Sequence, residues 1–322
     1  DLRHLPRHRR RPRGGLAGLA GVGGGALISR LLGQGREDEA RRTSVFSLYL
    51  AVLIAAAFSL GIGAFMEPIL TLLGAGENTY EYARQYAMCV IVFGGIPTVL
   101  SNALANLIRS VGRSREAGAG IILGGLLNIA LDPLFMFVLL PEGYEVLGAG
   151  IATALSNGIA CLFFIAVLVR MGKGSVITFS PRAGRASKES IIAVFAVGVP
   201  SAIATLLFDL DYVIVDKLMV SYHDLALAAV GVVLKVERFP LNVGIGICQG
   251  MLPLVAYSYG AGDHKRMSET IRLARKLGLV IAAGSIVLYE IFSGQLVRIF
   301  LSDPQAVSMA SGFLRIRVLA TP

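Results

Sequence analysis

The chain has 322 residues, of which 55% are hydrophobic and 16% charged, with 38 glycines and a formal net charge of +9. Soluble globular chains carry about a quarter of their residues as charges, so this balance, with a mean hydropathy of +0.69, excludes an ordinary soluble domain and describes a polytopic membrane protein. The positive excess does not describe a nucleic-acid binder: the basic residues sit at alternate ends of apolar segments and in the leader 1–13, which is a topology signal.

Taken in order, residues 1–13 (DLRHLPRHRRRPR) form a basic leader without an apolar core, so they are not a signal peptide. Its abrupt end at Gly14 suggests an artefact or the end of a fragment. Residues 14–32 are expected to be the tail of a Gly-rich membrane helix. Further spans are expected at 44–66, at 86–108 with Pro97 inside, at 117–140 with Asp132, and at 146–169. Then come 190–220 with Asp209, Asp211 and Asp216, 225–262 interrupted by Lys235, Glu237 and Arg238, 277–297 with Glu290, and 304–322 with Arg315 and Arg317. That makes about nine helical passes. The short-period alternation of a β-barrel is absent. Trp is missing, so any interfacial aromatic belt must use Tyr and Phe. Cys89, Cys161 and Cys248 lie in apolar runs without CxxC or Cys/His spacing, which argues against a disulfide or a metal site.

The connections alternate in sign. Arg30, Arg36, Arg41 and Arg42 fill the first, and Glu67, Glu77 and Glu81 the second. Arg109, Arg113 and Arg115 mark the third, and Glu142 and Glu145 the fourth. Basic residues return in the fifth (Arg170, Lys173, Arg182, Arg185, Lys188) and the seventh (Lys265, Arg266, Arg272, Arg275, Lys276). The odd-numbered connections are therefore expected in the cytoplasm. The fifth is the longest polar stretch and divides an N-terminal lobe, 14–172, from a C-terminal lobe, 190–322, through a cytoplasmic loop, 173–189.

Two connections resemble each other. Gly33-Gln34-Gly35-Arg36 closes one apolar Gly-rich run, and Gly260-Ala261-Gly262-Asp263 closes another 227 positions later. Each is followed by an apolar span, an expected outer turn (67–70; 294–297) and a helix ending near a proline, Pro97 or Pro322. An even number of helices separates the two loops, so the halves have the same orientation and form a parallel repeat of two six-helix lobes. Two complete units at that spacing need roughly 450 residues. The chain is accordingly expected to be a piece of a longer protein, lacking the first helix and the last two, and inactive as it stands.

Asp132 is the only charge in its span, and Asn128 lies one turn away at i−4 on the same helical face. Pro133 removes a backbone hydrogen bond beside them. An intramembrane acid with an amide partner and a kink reads either as a cation or proton site or as a packing bond to a neighbouring helix. A second acidic set, Asp209, Asp211 and Glu237 with Lys235 as the compensating cation, reads as a proton or substrate site or as a structural ion pair. Arg317 has no assignment. Glu290 is expected near the outer end of its helix.

GALISRLLGQG (25–35), NIALDPLFMF (128–137), LGAGIATALSN (147–157) and GICQGMLPLVAYSYGAGDHKR (246–266) together resemble the multidrug and toxic compound extrusion (MATE) family of secondary transporters. The resemblance covers almost everything from Gly21 to Pro322. It implies twelve helices in two lobes and the export of organic cations or drugs in exchange for Na⁺ or H⁺. It also implies a cation site at Asn128 and Asp132, with Thr153 from the next helix. Pro133 and Pro97 are the expected hinges. No cofactor beyond the coupling ion is implied. The expected partners are a small organic cation or drug and the lipid bilayer, with no nucleic acid and no second subunit. The expected location is a prokaryotic cell membrane.

Three rivals remain. A lipid-linked oligosaccharide flippase of the wider superfamily would need several Arg or Lys in its cavity, an inactive fragment would transport nothing, and a membrane-embedded enzyme would need clustered catalytic groups. All four His (His4, His8, His223, His264) lie in the leader or loops, so the chain is not expected to be an enzyme. The repeat makes a direct prediction about the gene. Sequencing upstream should reveal apolar helical sequence, the first helix carrying an Asp, and sequencing downstream two more helices. An intact gene without them would break the repeat.

Overall fold

The computed structural model describes residues 14–72, 77–172, 174–220, 224–301 and 303–318. Lipid offers no partner to a peptide group, so each apolar run must satisfy its own backbone, and the described residues do so as helices. They are α1 (Gly14–Gly33), α2 (Glu37–Ala64), α3 (Met66–Leu72), α4 (Glu77–Ala87), α5 (Gly95–Ser110), α6 (Ser114–Leu134), α7 (Glu145–Met171), α8 (Lys188–Val220), α9 (Asp224–Gly260), α10 (His264–Arg298) and α11 (Pro304–Val318). Six helices are each long and apolar enough to cross a membrane. The α4–α5 pair makes a seventh span, bent by 50°. The leader lies outside the described residues.

Two wider, π-helical stretches interrupt the spans, Met88–Phe93 between α4 and α5 and Phe135–Leu139 after α6. The first ends at Gly94, where the 50° bend falls, and Pro97 sits in the turn that follows. The second begins two residues after Pro133, which lies inside α6. In both places a missing proline N–H leaves a carbonyl to be satisfied otherwise, a common cause of bends and bulges.

The expected outer turns are both helical. Residues 67–70 lie in α3, whose first turn accommodates Pro68. Residues 294–297 lie inside α10, which runs on to Arg298. The next helix start is marked by Asp303-Pro304: the Asp303 carboxylate accepts from the Gln305 and Ala306 amides at 2.8 and 3.0 Å and caps α11.

The described residues pack as two compact units, 14–205 and 206–318, with the division inside α8. In the first unit Leu27, Ile28, Leu48, Leu104, Leu107, Ile108 and Phe164 form the main core. The connection after α7 does not hang free. Ile177 is buried in that core, the Ser44 hydroxyl donates to Val176 O at 2.9 Å and accepts from Thr178 N at 3.3 Å, and Tyr49 donates to Phe179 O at 3.2 Å. The strap therefore holds to α2. In the second unit Val233, Tyr289, Val297, Val307 and Leu314 from α9, α10 and α11 form a separate core. Large apolar side chains such as Ile129, Phe137 and Phe239 point outward, more than 70% exposed. That would be a liability in water but suits acyl chains.

The two repeated turns have one geometry. Gly35 at φ 73° and Gly262 at φ 72° occupy the left-handed region. Behind each, the next amide reaches back to close the helix, Arg36 N to Leu31 O and Asp263 N to Ser258 O, both at 2.9 Å. A side chain at positive φ costs about 1 kcal/mol. Gly35→Ala and Gly262→Ala should therefore each lower the thermal unfolding midpoint of the purified protein. Gly118→Ala, in a helix with open space around it, should hold or raise it.

Candidate functional site: a polar cluster between α6 and α7

α6 carries Asn128 and Asp132 one turn apart, and α7 brings Thr153 to them because both helices present small residues where they meet. An added Cβ on Gly124 would lie 3.2 Å from the Ala160 methyl, and one on Gly148 would lie 2.6 Å from Phe135 O. The 147–157 motif is thus a close-packing surface. The Asn128 amide donates to Asp132 Oδ1 at 2.9 Å and to Thr153 Oγ1 at 3.4 Å. The Thr153 hydroxyl donates to Ala149 O at 2.8 Å, which leaves its oxygen to face the amide. All three side chains are half-buried. The cluster sets the Asp132 carboxylate and the Thr153 hydroxyl oxygen on either side of the Asn128 N–H donors, and its acid can take a hard cation or a proton.

The second set is assembled differently from the sequence expectation. Arg317 of α11 is the compensating cation: its Nη2 lies 2.9 Å from Asp211 Oδ2 of α8, and its Nε donates to Glu237 Oε2 of α9 at 2.5 Å. Lys235 is exposed and stands apart from that pair. The reason is helical geometry: residues two apart on a helix point roughly 200° from one another, so Lys235 and Glu237 cannot serve one site. Arg315 turns the other way, donating to Ser293 Oγ at 3.0 Å with Glu290 Oε2 at 3.6 Å, both on α10. Glu290 therefore pairs within the helix bundle, about 12 Å short of the end of α10 at 1.5 Å per residue. Tyr289 OH donates to Val236 O at 2.8 Å and adds an α10–α9 bond. The side chain of Asp209 lies outside the described residues. Arg317 was the residue that sequence reasoning missed. The available signal was charge balance, since Asp209, Asp211 and Glu237 need a cation, but its partners lie 80 and 106 positions away.

These features define a multi-pass α-helical membrane protein with polar clusters inside its spans. The family model described as MatE matches residues 16–134 and 200–322, and the chain belongs to that family. Among curated proteins it is 32% identical over 305 residues to the multidrug export protein MepA of Staphylococcus saprophyticus subsp. saprophyticus, covering 94% of this chain and 65% of that protein. It is 29% identical to the MepA of Staphylococcus haemolyticus, covering 92% of this chain and 64% of that one. The chain thus spans a little under two thirds of these relatives. Its fold matches an outward-facing multidrug resistance MATE family transporter of the MOP superfamily (TM-score 0.85, 21% identity, 96% of this chain and 68% of that one). It also matches a MOP superfamily transporter from Pyrococcus furiosus whose reversed pocket polarity suggested a different function (TM-score 0.83, 22% identity, 95% and 67%).

The Arg317 assignment is testable through stability. Glu237 is 10% exposed and Asp211 53%, so loss of the guanidinium harms chiefly Glu237. Arg317→Met should cost about 1–3 kcal/mol in thermal unfolding. The double variant Arg317→Met/Glu237→Met should recover part of that loss.

Proposed function

We propose that the protein containing this chain is an ion-coupled antiporter that exports drugs or organic cations from a bacterial cell by alternating access. The observation that carries the reading is the Asn128–Asp132–Thr153 cluster, held between two membrane helices of a MatE-family chain. An unpaired carboxylate in a bilayer is costly; the Asn128 N–H steadies the Asp132 anion, and that acid is the group we assign to take the ion or proton. The naming of these relatives as multidrug export proteins supports a multidrug substrate. Arg317 and Arg315, each turned toward carboxylates, offer little to a pyrophosphate and so favour the exporter over the flippase.

In this mechanism Na⁺ or H⁺ at Asp132 favours one conformation and the organic cation favours the other. Each ligand shifts the equilibrium only by its differential affinity. Couplings between sites are typically about 1–3 kcal/mol. Complete reversal of a lopsided equilibrium needs about 5.5 kcal/mol. The two conformations must therefore lie close in energy, and the ion tips a balance.

Asp132→Asn in the full protein should abolish ion-driven efflux of a fluorescent lipophilic cation from proteoliposomes while leaving expression and membrane insertion intact. Imposing a Na⁺ gradient and a pH gradient separately identifies the coupling ion. Undiminished efflux in the variant would sink the assignment.

A further inference from the structure

We propose that a two-turn stretch of α7, residues 148–154, is a mechanical joint that carries the occupancy of the Asn128–Asp132–Thr153 cluster to the break in the neighbouring span at Gly94. The inference rests on the ion-site reading above and extends it to a moving part.

The stretch touches three structures at once. Thr153 receives the Asn128 amide at 3.4 Å. The adjacent Ala154 methyl seats on Gly94, where an added Cβ would lie 3.1 Å from it and 3.0 Å from the carbonyls of Cys89 and Val90. Gly150 backs onto the π-helical stretch before that break, with its Cβ position 3.1 Å from Cys89 Cβ and 3.5 Å from Tyr86 Cα. Gly148 meets the other π-helical stretch at Phe135 and Met136. No slack separates α7 from either interrupted span, and close-packed contacts of this kind move together or rearrange as a unit.

The break has more than one way to satisfy its backbone. Gly94 N donates five residues back to Cys89 O at 2.8 Å, and the Thr98 amide and hydroxyl both reach Gly94 O, at 3.0 and 2.7 Å. The Ile91 carbonyl is taken by the Ser59 hydroxyl of α2 at 2.8 Å, and Pro97 cannot donate to Phe93. Such π-to-α junctions can exchange partners at small cost.

The chemistry of the site supplies the drive. With Asp132 ionised, the Asn128 amide holds it more tightly than it holds Thr153, at 2.9 Å against 3.4 Å. A proton on Asp132 converts an acceptor oxygen into a donor, and a cation occupies its lone pairs. Either event weakens Asp132 as an acceptor, so that the amide settles closer to Thr153, drawing α7 against α6 and shifting Ala154 and Gly150 on the Gly94 break.

Hydrogen–deuterium exchange across residues 88–98 of the full protein tests this, with Na⁺ titrated at fixed pH and pH titrated without Na⁺. Ion binding is followed separately by radiolabelled Na⁺ and by proton release. The expected result is a change of about fivefold or more in exchange of that segment at saturation. It should be lost in Asp132→Asn together with binding, and lost in Ala154→Gly and Gly150→Ala while binding persists. Binding with unchanged exchange, or an undiminished response in both α7 variants, overturns the joint and leaves the ion site standing. If neither ion binds the wild-type protein, the site reading fails and the joint fails with it.

Discussion

Hydrocarbon has no hydrogen bonds to offer, and this constraint orders the whole molecule. Regular helix satisfies the backbone without help, so the chain is helical wherever it is apolar. The informative places are those where regularity fails. At the Gly94 break the displaced carbonyls are met by Thr98 and by Ser59 of α2. At Asp132 a carboxylate is met by an amide one turn back and, through that amide, by a hydroxyl on the next helix. At Arg317 a guanidinium is met by carboxylates from two other helices. Each departure from helix or from apolar composition drags a second element into contact.

The two polar clusters answer the same constraint with different consequences. Arg317 has strong, charge-assisted partners on α8 and α9, an arrangement that ties three helices together and resists rearrangement. The α6–α7 cluster is half-buried, contains a single charge and is joined to Thr153 by a long hydrogen bond. Its balance changes when one proton or cation arrives. A tight network suits a scaffold, whereas a loose one with one titratable member suits a switch. The surrounding packing fits that division, since α7 meets the cluster and both interrupted spans with Gly and Ala, leaving backbones close and side chains unable to absorb a displacement.

Much of this was legible in the chain. The spans, their alternating connections and the matching Gly33–Arg36 and Gly260–Asp263 turns followed from hydropathy, charge and glycine placement, because each is a local property. Asn128 and Asp132 were legible together because four residues on a helix are always one turn apart. Lys235 misled as the compensating cation because, two residues from Glu237, it points to another side of α9. The helical state of 294–297 was hidden because a lone glycine does not stop a helix, whereas Asp303-Pro304 starts one. The strap after α7 read as a boundary loop, and nothing in its polar composition announced that Ile177 and the Val176 carbonyl are held by the first unit.

The sequence by itself determined that this is a multi-pass helical membrane protein built on a repeat, and that Asp132 is an acid in a solvent hostile to it. Both follow from transfer energies and helical periodicity, which act residue by residue. Only the tertiary structure decided which distant groups answer the buried charges: Thr153 at the amide of Asn128, and Arg317 rather than Lys235 at Asp211 and Glu237. It also decided that the small residues of α7 join the polar cluster to the break at Gly94. Those pairings depend on how helices far apart in the chain rotate and pack against one another, and periodicity carries no information about rotation between helices.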